Sequence, residues 1–415
     1  MPLEKVIDYT FKQIGEIRQG GRSVFFRKVK RRVSILIFVP LAMPVIIIVR
    51  LLYPFITIRF GILIGGRIGH FASNTELYLC ARDAGIYGKK TYDVFYISLP
   101  VSNYQLKKMW ERTMPISRYV EFLCWANRYL PGYERHQVPS SDVDIHILLG
   151  KTLPHLSFTE EEERIGKKEL QKMGLPDDMP FFCFIGRDPA YLNRVHSKNY
   201  DYHNYRNMDI KNFIPAVKEL TQKGYFTIRM GSVVEEPLKI TDSRYIDYAT
   251  KYRTDFLDIY LCEKCHFFVN GMAGLDGVPR VLFRKPIVLV NYIPLLFYHG
   301  NSSETIIIPK KLWHVKDRRF MTFRESFEAG IGRIFHTEQY KQAGIEPIEN
   351  TPDEITAVVN EMEERLRGVW QTTDEVEELQ QRFNTLFQTY KKDEELNSQM
   401  HIGAEFLRQN VELLE

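Results

Sequence analysis

The feature that most restricts the fold is a regular alternation of short apolar runs with helical stretches between residues 181 and 290. The spacing predicts strands at 181–185, 225–229, 266–269 and 286–290, with helices ending near 222 and covering 253–262 and 274–283. Runs such as FFCFIG are apolar at every position, as strands covered on both faces are, and strands that alternate with helices build a parallel, doubly wound sheet. The chain has 415 residues, more than one hydrophobic core usually serves, so two α/β domains with appendages are expected.

A second strand, turn and helix unit lies upstream: ITIRFGILIG, the glycine-rich GGRIGH, then FASNTELYLCARD, followed by the strand YDVFYISL. The first α/β domain is expected over about 59–155 and the second over 156–345. Between them Thr159 and Glu162 form a capping box and Gly174 ends the helix, so the acidic run Glu160 to Glu163 is a helix N-terminus and not a metal site. Residues 346–415 read as C-terminal helices, opened by Thr351, Pro352 and Glu354.

Residues 1–58 form a basic and apolar segment. Arg27, Lys28, Lys30, Arg31 and Arg32 precede an uncharged run from Val33 to Val49, which is at the lower limit for crossing a bilayer. It starts too late, and lacks the cleavage site, for a secretory signal. Pro40 and Pro44 favour a bent, re-entrant or interfacial segment attached to the cytoplasmic face of the inner membrane; a buried core hairpin is the alternative. The net charge of +4 is concentrated in that cluster, so anionic lipid headgroups, and not nucleic acid, are the expected partner.

Five scattered cysteines fit a reducing cytoplasm better than a disulfide framework. Cys262 and Cys265 have the spacing of a zinc or redox site but lack a second pair, and read as two half-buried thiols at a helix end.

In a doubly wound sheet ligands bind beyond the carboxyl ends of the strands. Those positions carry Gly65, Gly66, Arg67, Gly69 and His70 in the first domain, and Arg187, Arg229, Gly271, Gly274 and Asp276 in the second. IGGRIGH is neither a Walker loop nor a dinucleotide fingerprint; it is either a tight turn or a backbone approach to a phosphate. Arg229 ends an apolar strand and needs an anion: a diphosphate, or Asp188, Asp255 or Asp258. Asp276 sits in the first turn of an expected helix, where it also suits the helix dipole. The long loop 190–209 concentrates His196, His203, Arg206 and several tyrosines, a composition that suits a base or sugar platform.

HNYRNMDIKNFIPAVKELTQKGYFTIRMG, YRTDFLDIYL and GLDGVPRVLFRKPIVLVN carry a resemblance to a family of bacterial glycosyltransferases associated with surface-polysaccharide synthesis, over about 59–300. The chain departs from the family's pattern at Asn204, where an acid is usual, and at Met272, Ala273 and Gly274, where a Ser-Gly step is common. The resemblance implies a GT-B arrangement: an acceptor domain facing a nucleotide-sugar domain, no cofactor, and no metal. Asp142 and Asp144 form an Asp-x-Asp pair, but in a loop away from the expected site. On this reading Arg187 and Arg229, helped by amides at Gly271 to Gly274 and by His203 and Arg206, hold the diphosphate of a nucleotide sugar. His70 or Glu76 then activates a glycan or lipid-linked acceptor. A nucleotide-sugar 2-epimerase and a non-catalytic scaffold are the rival readings.

Overall fold

A computed structural model describes residues 25–26, 29–30 and 33–415, apart from 89, 145, 189, 191–200, 235, 299, 301–303 and 392–399. Arg27, Lys28, Arg31 and Arg32 of the basic cluster, and His196 of the long loop, lie outside the described residues.

The larger lobe is built on six strands: β3 (Phe181–Gly186), β4 (Phe226–Arg229), β5 (Tyr245–Ile246), β6 (Phe268–Gly271), β7 (Ile287–Tyr292) and β8 (Thr305–Pro309). Their order is β5-β4-β3-β6-β7-β8, and every pairing is parallel. The chain runs outward from β3 to β5, then crosses back to build β6 to β8, the Rossmann order with its reversal between β3 and β6. Phe181 to Phe184, Ile228, Val269 and Ile287 to Val290 are all buried, as strands covered by helices on both faces require.

Helix α6 (Ile214–Gln222) carries Pro215 in its first turn, where the missing N–H is harmless, and α7 (Asp255–Lys264) is capped by Thr254, whose hydroxyl accepts from the Leu257 amide at 3.1 Å. Helix α8 (Pro352–Leu366) begins with the expected capping box of Thr351 and Glu354 and packs beside α6, where Glu363 accepts from Tyr225 and Lys223, each at 3.1 Å. The outer edge of β8 is covered by the C-terminal segment: Ile307 donates to His401 O at 2.9 Å. The expected helix at 274–283 is instead a six-residue π turn, Gly277–Leu282, in which Phe283 bonds back to Val278. A small antiparallel sheet of β9 (Lys311–His314), β10 (Arg319–Phe320) and β11 (Ile345–Ile348) was not foreseen.

The smaller lobe pairs β1 (Thr57–Leu63) with β2 (Thr91–Ile97) in parallel, carried by α2 (Ile68–Asp83), α3 (Tyr104–Thr113) and α4 (Val120–Asn127). Single parallel bridges extend this sheet, Phe60 to Gln137 on one side and Phe95 to Ile116 on the other. Pro139 and Pro115 lie beside those bridges and cannot donate to a ladder, which fits the brevity of both flanking segments. Two α/β lobes with parallel sheets therefore face each other, as the resemblance implies.

Helix α1 (Val33–Leu51) is uninterrupted at Pro40 and Pro44, contrary to the expected break. Val39, Ala42, Ile46 and Val49 pack on Phe60, Val120 and Ala126, and Phe38 stacks on Phe122 at 4.5 Å. Arg50 fixes its end by donating to Pro131 O at 2.6 Å and Asn127 Oδ1 at 2.9 Å. The opposite face is bare, with Leu36, Leu41 and Leu51 about 70% exposed, so α1 is not a buried hairpin.

Candidate functional site

Between the lobes lies a cleft of about 420 Å³ at the reversal point of the large sheet. Its large-lobe wall comes from the ends of β3 and β6, and its small-lobe wall from the first turn of α2. Of the residues expected in a site, Arg67, Gly69, His70, Arg187, His203, Arg206, Gly274 and Asp276 line this cleft. Gly65, Gly66, Glu76, Arg229 and Gly271 do not line it.

Cations crowd the cleft. Burial, followed by the charges of Arg206 and Arg67, pulls the Arg187 guanidinium down to about 10 from its usual 12.5. Burial together with Arg206, Arg187 and Arg67 pushes the His203 imidazole down to about 4, so the ring is neutral at pH 7. The side chains of Arg187, Arg206 and Arg280 each bury an Nε, and His203 buries its Nδ1, without a hydrogen-bond partner among the described residues. Arg206 donates to Met272 O at 2.9 Å, and Arg280 lies 3.5 Å from Asp276, so the carboxylate and its arginine form a loose pair. On the small-lobe side α2 starts at Arg67 with no side-chain cap, leaving its first amides to face the cleft.

Arg229 is a correction. It is 2% exposed, donates to Glu236 O at 2.7 Å and lies 3.7 Å from Asp247, a partner not foreseen. It fixes the loop whose Gly231 to Val234 edge lines the cleft, from inside the lobe. Strand β4 is one position away from the reversal, so a side chain at its end is covered by the loop leading to β5.

Glu76 is likewise not at the cleft. It is fully buried and holds Arg284 at 2.8 Å and His155 at 3.0 Å. His155 also pairs with Asp83 at 2.9 Å, and its hydrogen bonds to Cys80 and Glu76 lift its pKa to about 10. Glu76, Cys80 and His155 come close enough to suggest a metal site, but the Arg284 cation already fills it, 3.3 Å from Cys80 Sγ. Arg284 also donates to Leu149 O at 3.0 Å, so the cluster clasps the two lobes.

The two glycine-rich segments meet each other. A Cβ on Gly69 would come within 2.5 Å of Gly274 O, and one on Gly277 would strike Ser73 and come within 3.0 Å of Gly69 O. These glycines let α2 and the 274–282 segment touch backbone to backbone. Gly65 serves a turn: its amide meets Ser98 Oγ at 3.0 Å and its carbonyl accepts from Ser102 at 2.8 Å. Gly66 lies next in that turn, where a Cβ would sit 3.5 Å from Pro100 O. Gly271 accepts the Arg187 amide at 2.8 Å, and the Ala273 amide is taken by Asn270 Oδ1 at 3.1 Å, which removes it from any phosphate cradle.

The cleft is also lined by Arg253, which sequence reasoning passed over. Arg253 pairs at 2.8 Å with Asp258, one of the partners expected for Arg229, and burial raises Asp258 to about 6. Asp142, placed elsewhere from the sequence, does reach the cleft, while Asp144 accepts from the Leu148 and Leu149 amides and shapes its own loop. Tyr205 is buried against Tyr340 at 5.2 Å and offers no platform. Cys262 and Cys265 are fully buried, with Cys265 Sγ 3.4 Å from Cys262 O, instead of half-buried.

No protein-family model matches the chain, and no curated protein does so. Among solved structures it is similar to a glycosyl transferase family 9 protein from Veillonella parvula, at 12% identity over 74% of this chain and 97% of that one, with a TM-score of 0.42. It is also similar to the ADP-heptose LPS heptosyltransferase II of E. coli, at 14% identity over 60% of this chain and 90% of that one, with a TM-score of 0.34. At TM-scores this low, neither likeness assigns a residue or an activity.

Proposed function

We propose that the chain is a glycosyltransferase that moves a sugar from a nucleotide-diphosphate sugar to a glycan or lipid-linked acceptor in surface-polysaccharide synthesis. The observation that carries this reading is the set of buried side-chain nitrogens on Arg187, Arg206, Arg280 and His203 that have no hydrogen-bond partner among the described residues and surround one cleft. Buried donors without acceptors are rare in folded proteins, and a diphosphate supplies the missing oxygens. The depressed pKa values of Arg187 and His203 have the same cause, and an anion would relieve it.

In this mechanism Arg187, Arg206 and Arg67 hold the diphosphate, and the open amides of α2 add donors. Asp276 orients Arg280. The acceptor oxygen attacks the anomeric carbon, and the bond from that carbon to the diphosphate oxygen breaks. Its electron pair leaves with the nucleoside diphosphate, where the guanidinium groups stabilise the growing charge. Attack opposite the leaving group inverts the anomeric centre. The acceptor proton passes to His70: Asn74 Oδ1 lies 3.3 Å from Nδ1, and in the tautomer in which Nδ1–H donates to it Nε2 carries the lone pair. Glu76 has no part, because its carboxylate is committed to Arg284 and His155. The arginines do the work a metal does in other transferases. The bare face of α1 supports attachment to a membrane surface, and the supply of nucleotide sugars puts that surface on the cytoplasmic face of the inner membrane; a membrane-borne partner suits a transferase better than an epimerase of free nucleotide sugars.

The test is a thermal-shift screen of the full chain against nucleoside diphosphates and their sugars. At a ligand concentration about 100 times its Kd, stabilisation of about 2.7 kcal/mol is expected. A chain that no nucleotide stabilises is a scaffold. Isomerised sugar in the absence of acceptor identifies an epimerase.

A further inference from the structure

Strand β6 is paired along both edges, with β3 and with β7, so Asn270 near its end is held in the middle of the sheet. It is 3% exposed and stands beside the cleft that Ala273 and Gly274 line. Both arms of its carboxamide close on one residue: Oδ1 accepts from the Ala273 amide and Nδ2 donates to the Ala273 carbonyl, each at 3.1 Å. A capping asparagine satisfies the amide three residues on in the same way at the start of a helix.

The consequence falls on the peptide between Met272 and Ala273. Its N–H and C=O point in opposite directions, as in every trans peptide. Tying the N–H to Asn270 therefore aims the Met272 carbonyl away from that side chain, and there it accepts from Arg206 Nη2 at 2.9 Å. Among the described residues this is the one hydrogen bond of the Arg206 side chain. It anchors one corner of the guanidinium and leaves the buried Nε, which has no partner among the described residues, to a ligand. The arrangement is strained. Met272 sits at φ +59°, a left-handed conformation that glycine adopts freely and other side chains adopt when their surroundings impose it. Strain kept beside a cleft points to a use.

We infer that Asn270 is a positioning residue for donor binding: by fixing the Met272–Ala273 peptide it aims Arg206 at the diphosphate. This inference rests on the transferase reading, and deepens it by naming a residue that touches no ligand yet sets the grip on one. An asparagine that merely closed the end of β6 would leave Arg206 indifferent to its loss.

Two readouts on the full chain test it. Phenylglyoxal modification, followed by peptide mass spectrometry, reports how firmly each guanidinium is held, with Arg187 as the internal reference. Calorimetric titration with ADP, GDP and UDP reports the donor site. Asn270→Ala should raise the Arg206 modification rate about ten-fold relative to Arg187 and weaken nucleotide binding about ten-fold or more, the low end for one charge-assisted hydrogen bond. Asn270→Ser keeps an uncharged acceptor for the Ala273 amide and should bring both readouts back to within about three-fold of wild type. Met272→Val leaves Asn270 in place but resists the left-handed conformation through its branched Cβ, so it should reproduce the alanine variant, and it carries the test if that variant fails to fold. An Arg206 rate that stays in step with Arg187 overturns the positioning role, whatever the nucleotide does. A faster Arg206 with unchanged nucleotide binding overturns its link to the diphosphate. If the wild type binds no nucleotide, the transferase reading falls, and the modification rates still decide whether Asn270 holds Arg206.

Discussion

Replacing Arg187 by Met should stabilise the unliganded protein and weaken its hold on a nucleotide sugar. Arg187 follows the central strand β3 and is brought from 12.5 to about 10 by burial and then by Arg206 and Arg67, a bias of roughly 3 kcal/mol against its charged form. Methionine keeps much of the aliphatic length and removes the charge. Screening at the open side of the cleft and lost packing reduce the gain to about 1–2 kcal/mol, a rise in Tm of roughly 2–8 °C at about 2–4 °C per kcal/mol. His203 gives a second readout, because the variant removes one of the cations that hold it at about 4, and its pKa should climb toward 6.5. With ligand the sign reverses: one lost charge-assisted hydrogen bond, at about 1.5–3 kcal/mol, weakens binding by roughly 10- to 150-fold. Calorimetric melting with and without nucleoside diphosphate, and imidazole titration by NMR, measure both sides. A variant that melts lower than wild type and binds the nucleotide equally well refutes the reasoning, since Arg187 would then be a structural cation with an internal partner.

Other perturbations separate the lobe contact from the cleft. Gly69→Ala places a Cβ within 2.5 Å of a backbone oxygen that cannot yield and should cost about 1–3 kcal/mol in urea unfolding, whereas Gly274→Ala meets nothing within 4 Å and should stay within about 0.5 kcal/mol. Glu76→Gln strips the buried clasp of its carboxylate, leaving Arg284 and His155 without it, and should cost about 3–5 kcal/mol in the same assay. His155 has its pKa raised from 6.5 to about 10 in the folded state, so its contribution is complete below pH 6.5 and is lost as pH rises through about 10; Glu76→Gln should flatten that part of the stability profile.

The large lobe was legible because its strands are apolar on both faces and short. Strands expected at 181–185, 225–229 and 286–290 fall at Phe181–Gly186, Phe226–Arg229 and Ile287–Tyr292. Capping chemistry located the starts of α5 (Glu160–Lys172) and α8 for the same local reason. Pairing order was not legible, and the assignments of Arg187 and Arg229 show why that matters. Both are arginines beside the carboxyl end of a buried strand, yet only β3 flanks the reversal, so only Arg187 lines the cleft. Two-residue β5, whose strand signal is too short to register, is the neighbour that brings Asp247 beside Arg229. Glu76 and Gly69 failed differently: both lie on α2, but whether a helical residue faces ligand or the opposite lobe depends on contacts more than 190 residues away in the chain, with Arg284 and Gly274.

The length of α1 suits a spanning helix as well as an interfacial one, because 19 residues span about 28 Å at 1.5 Å each, close to the ~30 Å of a hydrocarbon core. For the proposed membrane attachment, packing favours a helix that lies in the interface. A helix crossing a bilayer must present lipid-compatible surface on all sides, yet α1 spends Val39, Ala42, Ile46 and Val49 on the lobe and has Arg50 bonded to Pro131 and Asn127. Pulling it into a spanning position would expose Phe60, Val120 and Ala126 and unpair that arginine inside the apolar region, where a charge is expensive. A helix lying in the interface keeps those contacts and offers only its bare side to lipid.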